Sequence, residues 1–140
     1  MSKLATVFIC GLFALCGCTS ENNPAPADAQ QEMLSRTEFT NRIENFFEYA
    51  PLKANQPSDF LIHLTDLTDG SPVEQAEVTL TAVDANTKAV AAQTKAQVGR
   101  VTGIYVAELT PPSPGDYVLE FHVKNAKLDE RMTLNDFKVD

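Results

Sequence analysis

Three kinds of side chain in this sequence could do more than pack: cysteine at 10, 16 and 18, histidine at 63 and 122, and carboxylates at Asp66, Asp69, Glu74 and Glu77. Cys16-Gly17-Cys18 has the spacing of a soft-metal clamp or of half a disulfide framework. A thiolate site needs several sulfurs held by folded structure, and these three sit in or beside a continuous apolar run from Leu4 to Gly17. The imidazoles of His63 and His122 are zinc or copper(II) ligands in kind. Copper(I) or silver needs softer donors, and apart from the cysteines and Met1 the chain offers only Met33 and Met132. The acidic stretch Asp66-Leu67-Thr68-Asp69-Gly70 lacks the Asp-x-Asp-x-Asp-Gly spacing of a calcium loop and reads as a hairpin turn, with Glu74 and Glu77 nearby as outward carboxylates. The chain carries no Gly-x-Ser-x-Gly elbow and no phosphate-cradling glycine loop, so the expectation is a protein that is not an enzyme.

The apolar run is preceded by a single charge, Lys3, and is shorter than the roughly 20 residues that span a bilayer. That is the form of a secretory signal rather than a transmembrane helix. Its end, Leu15-Cys16-Gly17-Cys18, resembles the bacterial lipobox. The resemblance implies that residues 1–17 are removed, that Cys10 and Cys16 leave with them, and that Cys18 becomes the lipidated N-terminus. Acyl chains then hold the protein on a membrane, each buried methylene contributing about 0.8 kcal/mol. The residue after Cys18 is Thr19 rather than Asp, which by the same resemblance places the protein on the periplasmic side of the outer membrane.

Without residues 1–17 one charge is lost, so 10 basic side chains face 19 acidic ones. A strongly acidic chain without a Lys/Arg cluster is unsuited to nucleic acid, whose phosphates demand a basic face. Residues 18–36, Cys18 followed by TSENNPAPADAQQEMLSR, contain two prolines, four amides and few bulky apolar residues, and read as a tether of about 25 Å root-mean-square reach. Residues 37–140 remain, enough for one domain around one core.

The elements that position the candidate residues are strands. Phe60, Ile62 and Leu64 alternate with Leu61, His63 and Thr65; Val78, Leu80 and Ala82 alternate with threonines and Val83; Tyr117, Leu119, Phe121 and Val123 alternate with Val118, Glu120, His122 and Lys124. Turn signals separate them, among them Asp69-Gly70, Asp84-Ala-Asn-Thr-Lys88 and Pro111-Pro-Ser-Pro-Gly115. Strands near 37–43, 46–50, 59–67, 76–83, 89–96, 103–109, 116–124 and 131–139 make an all-β, immunoglobulin-like sandwich of about seven or eight strands. Residues 37–49 also place Phe39, Ile43, Phe46 and Phe47 at helical steps, but strand is the preferred reading. In such a sandwich the two histidines alternate with core residues, so both point to solvent, unpartnered, from different sheets. Tyr117, behind Pro114-Gly115, packs its ring inward and bonds backbone across a corner.

Phe47-Glu48-Tyr49-Ala50-Pro51-Leu52, His63-Leu64-Thr65-Asp66-Leu67, Pro72-Val73 and the later Gly103-Ile104-Tyr105 with Pro111 to Tyr117 resemble the N-terminal part of periplasmic adaptor subunits of heavy-metal RND efflux pumps. Gly70-x-Pro72-Val73, Ala76-x-Val78 and Pro114-Gly115-x-Tyr117 also resemble small immunoglobulin-like domains of the YtkA/FixH type. The resemblance covers residues 37–140 and implies a lipid-anchored binding or accessory module with an efflux-related envelope partner. The adaptors continue into a lipoyl-like domain, a helical hairpin and a barrel that have no counterpart here, so the expectation is not a complete adaptor. Two alternatives stand beside it: a small carrier of zinc or copper through His63 or His122 and nearby carboxylates, and a structural envelope lipoprotein. No cofactor is expected beyond the lipid on Cys18.

Overall fold

The computed structural model describes residues 32–140; the signal segment, Cys18 and the tether as far as residue 31 lie outside the described residues. Residues 34–139 form nine strands: β1 (Leu34–Phe39), β2 (Ile43–Tyr49), β3 (Ser58–Asp66), β4 (Glu77–Asp84), β5 (Val90–Lys95), β6 (Gln97–Val98), β7 (Ile104–Leu109), β8 (Gly115–Lys124) and β9 (Asp129–Val139). They pair antiparallel into a five-stranded sheet, β1-β2-β3-β7-β6, and a four-stranded sheet, β5-β4-β8-β9. The result is the immunoglobulin-like β-sandwich that the alternation requires. The ninth strand is β6, two residues that follow β5 after Ala96 and carry the chain from one sheet into the other.

The inward residues are those on the apolar phase of each strand. Phe60, Ile62, Val78, Leu80, Ala82, Leu119, Phe121 and Val123 have no exposed surface. Residues 37–49 are strand, not helix, because the inward set recurs every second residue: Ile43, Asn45 and Phe47 are fully buried, while Phe39 is 62% exposed. Asn45 is a departure from an apolar interior, since neither its amide nitrogen nor its oxygen has a hydrogen-bond partner among the described residues. The core centres on Phe47, whose ring lies 4.9 Å from Phe121 of the facing sheet, 6.2 Å from Phe60 and 6.5 Å from Phe137.

Two boundaries differ from the sequence reading. Leu34 to Arg36, read as tether, are the start of β1, paired with Phe47 to Tyr49. The reason is Arg36: its guanidinium donates to Asp136 at 2.7 Å and Glu38 at 2.6 Å and lies 5.0 Å from the centre of the Phe137 ring, tying the edge of one sheet to the edge of the other. On β9 the alternation slips. Leu119 pairs with Leu134 but Tyr117 with Phe137, so the extra residue re-phases the strand, and Phe137 and Val139 face inward after Met132 and Leu134.

The motif residues prove to be fold determinants. Gly103 has φ +81°, and a Cβ there would lie 2.5 Å from Pro72 Cβ, so only glycine lets β7 begin against that turn. Two residues on, the buried Tyr105 hydroxyl donates to Val73 C=O at 2.8 Å and accepts from Ala76 N–H at 3.0 Å. Gly103-Ile104-Tyr105 and Pro72-Val73 are thus two halves of one interlock. Tyr117 makes the expected corner, its hydroxyl 2.9 Å from Ser113 C=O.

Candidate functional site

His63 stands on β3 and His122 on β8, on the outer faces of opposite sheets, with the packed core and about 10 Å of sheet separation between their strands. They share no metal site. The expectation that both rings are unpartnered in solvent needs correction, because an outward side chain on a sheet is flanked by its cross-strand neighbours. His122 Nε2 lies 2.7 Å from Asp129 Oδ1, and this hydrogen bond holds the Asp129 carboxyl below its ordinary value. The His63 ring meets Phe46 edge-on at 5.3 Å, and its Nε2 is covered and without a hydrogen-bond partner, 4.0 Å from Glu48 Oε2.

The acidic stretch after β3 does not converge. Asp66 accepts from Arg42 Nε and Nη2, both at 3.2 Å, and from the Thr68 backbone and hydroxyl at 2.9 and 2.6 Å. Asp69 accepts from the backbone of Ser71 within its own turn, where Gly70 has φ +74°, and Glu77 pairs with Lys95 of the adjacent strand β5 at 3.0 Å. Met132 is buried in the core and Met33 is half exposed. Among the described residues no three His, Cys, Asp or Glu side chains gather as metal ligands.

Asp66 has a consequence for stability. The Arg42 guanidinium, then the Thr68 hydroxyl and amide, hold its carboxyl far below the ordinary aspartate range. A depressed folded pKa contributes stability that is complete above the unfolded value and is lost as pH falls below it. The melting temperature should therefore fall on acidification below about pH 4. Asp66→Asn, less stable at neutral pH, should show a flatter acid slope in the same thermal scans; an unchanged slope would mean that Asp66 carries no linkage.

The outer faces of the two sheets differ in kind. On the four-stranded sheet, cross-strand rows run Lys95, Thr79, His122, Arg131 and Gln93, Thr81, Glu120, Thr133. Several of its polar groups serve one another: Gln93 donates to Thr81, Lys95 pairs with Glu77, and Lys124 and His122 share Asp129. On the five-stranded sheet the rows run Thr37, Phe46, His63, Ile104 and Ser35, Glu48, Leu61, Val106, Gln97. A third row is Phe39, Glu44, Thr65, and at the far end Asp59 stands opposite Glu108. Phe46, Leu61 and Ile104 are half-buried and Val106 is 41% exposed, so neighbouring strands present a joined apolar surface around His63. Glu44, Glu48, Asp59 and Glu108 border it, the rows contain no Lys or Arg, and none of the four forms an ion pair with Lys or Arg among the described residues. This face was not singled out from the sequence. Its signal was the run Phe60-Leu61-Ile62-His63-Leu64, apolar on both phases where a half-solvated strand alternates.

No family model matches the chain, and no curated protein matches it. Among solved structures the ZirS C-terminal domain is similar at 10% identity, with a TM-score of 0.44, over the whole of this chain and 86% of that one.

Proposed function

We propose that this protein is a non-catalytic binding module that acts by recruitment on the periplasmic side of the outer membrane. Lipid on Cys18 confines it to the membrane surface, and the segment after it lets the sandwich search a few nanometres, so that a weak contact becomes effectively intramolecular. The outer face of the five-stranded sheet carries this reading, being a joined apolar surface bordered by carboxylates that have no Lys or Arg partner among the described residues, whereas the outer rows of the other sheet are polar. The motif resemblance adds the class of partner, an RND-type metal-efflux or related envelope complex. A metal carrier, by contrast, would have to work with one histidine and one carboxylate on either face.

The test is site-specific photocrosslinking in intact cells, with and without metal stress, from Val106 on the proposed face and Thr79 on the opposite one. A discrete adduct with an efflux or other envelope component from Val106 alone, lost in Cys18→Ser, is the expected result. Equal adducts from both positions, or none from either, would overturn the proposal.

A further inference from the structure

We infer that the occupant of the five-stranded sheet's outer face is a protein segment with apolar side chains flanked by lysine or arginine, lying extended along β2; this rests on the reading of that face as the docking surface. Three occupants can be compared on charge. A second copy of the chain docked face to face would set Glu44, Glu48, Asp59 and Glu108 against the same four carboxylates, and like charges brought together in a desolvated contact oppose association. A membrane surface carries anionic lipid and repels the same border. A cationic partner gains from every one of these groups, because within this chain no Lys or Arg among the described residues competes for them.

The spacing sharpens the partner. Glu44 and Glu48 lie on the same side of β2 with Phe46 between them, four residues and therefore about 13 Å apart. Lysines at the same four-residue interval in an extended segment span the same distance, and the one residue midway between them faces the same way, toward the row of Phe46, His63 and Ile104. In a helix the same 13 Å takes about nine residues, and the intervening side chains spread over several faces. The contact is thus matched to an extended basic-apolar-basic stretch. Apolar residues supply the attraction and cations select the partner and speed its arrival.

Two synthetic peptides test this on the full-length isotope-labelled chain in detergent: Gly-Lys-Thr-Leu-Thr-Lys-Gly, whose lysines and central leucine share one face when extended, and its counterpart with glutamate for each lysine. The lysine peptide should shift the amide resonances of Phe46, Leu61, His63, Ile104 and Val106, and bind roughly tenfold more tightly than the glutamate peptide at low salt. In about 1 M salt that preference should shrink toward unity. The double variant Glu44→Gln, Glu48→Gln should lose the preference while keeping a native spectrum, and Glu120→Gln on the other sheet should keep it. Equal shifts from both peptides at this face would leave the docking surface standing and sink the cationic partner. Shifts confined to other surfaces, or none from either peptide, would sink both.

Discussion

Phe47→Ala is expected to cost about 3–5 kcal/mol of folding stability, against a total of about 5–15 kcal/mol for a domain of this size. The ring has no exposed surface and is the meeting point of both sheets, 4.9 Å from Phe121, 5.7 Å from Tyr49 and within stacking range of Phe60 and Phe137. Truncation removes its transfer free energy and leaves a cavity walled by rigid rings on strands that cannot close in without breaking register. Guanidinium denaturation should show the midpoint falling at nearly constant slope, and the melting temperature should drop by roughly 15 °C. Phe47→Leu, which keeps most of the volume, should cost only about 1–2 kcal/mol. A loss below about 1 kcal/mol for the alanine variant would mean that the two sheets do not meet on this ring.

Tyr105→Phe should be nearly as severe for the loss of one oxygen, about 2–4 kcal/mol. The hydroxyl serves two buried backbone groups at once, Val73 C=O and Ala76 N–H, across some thirty residues of chain. Phenylalanine fills the same space but strands a donor and an acceptor where water does not reach, and each carries its own desolvation penalty. Tyr117→Phe is the control: its hydroxyl sits at a partly buried corner with Ser113, where water can replace it, so the cost should stay near 1 kcal/mol. Amide exchange of Ala76 should accelerate in Tyr105→Phe beyond what the global loss of stability explains. Equal costs for the two tyrosines would show that the interlock between β7 and the turn before β4 contributes nothing special.

The interlock bears on how the motifs are to be understood. Gly70, Pro72, Val73, Ala76, Gly103 and Tyr105 are wanted by the fold: a positive-φ turn, a backbone approach that excludes a Cβ, and one hydroxyl joining them. A chain can match such a pattern because it builds the same sandwich. On the function proposed above, a partner is chosen elsewhere, by the outward residues of β2, β3 and β7, where no turn or core demands apolar groups beside carboxylates.

Local chemistry written in the order of residues determined the all-β architecture, the inward phase of β3, β4 and β8, the corner at Tyr117 and the separation of the histidines onto two sheets. Period-two burial and turn geometry act over a few residues, so they are legible without coordinates. Tertiary structure alone decided which outward rows lie side by side. Phe46, His63 and Ile104 are far apart in the chain, and whether they form one surface depends on strand order and register, which long-range pairing sets. The same holds for Arg36, an ordinary tether residue until Asp136 and the Phe137 ring arrive from a hundred positions away and make it the clasp between two edges.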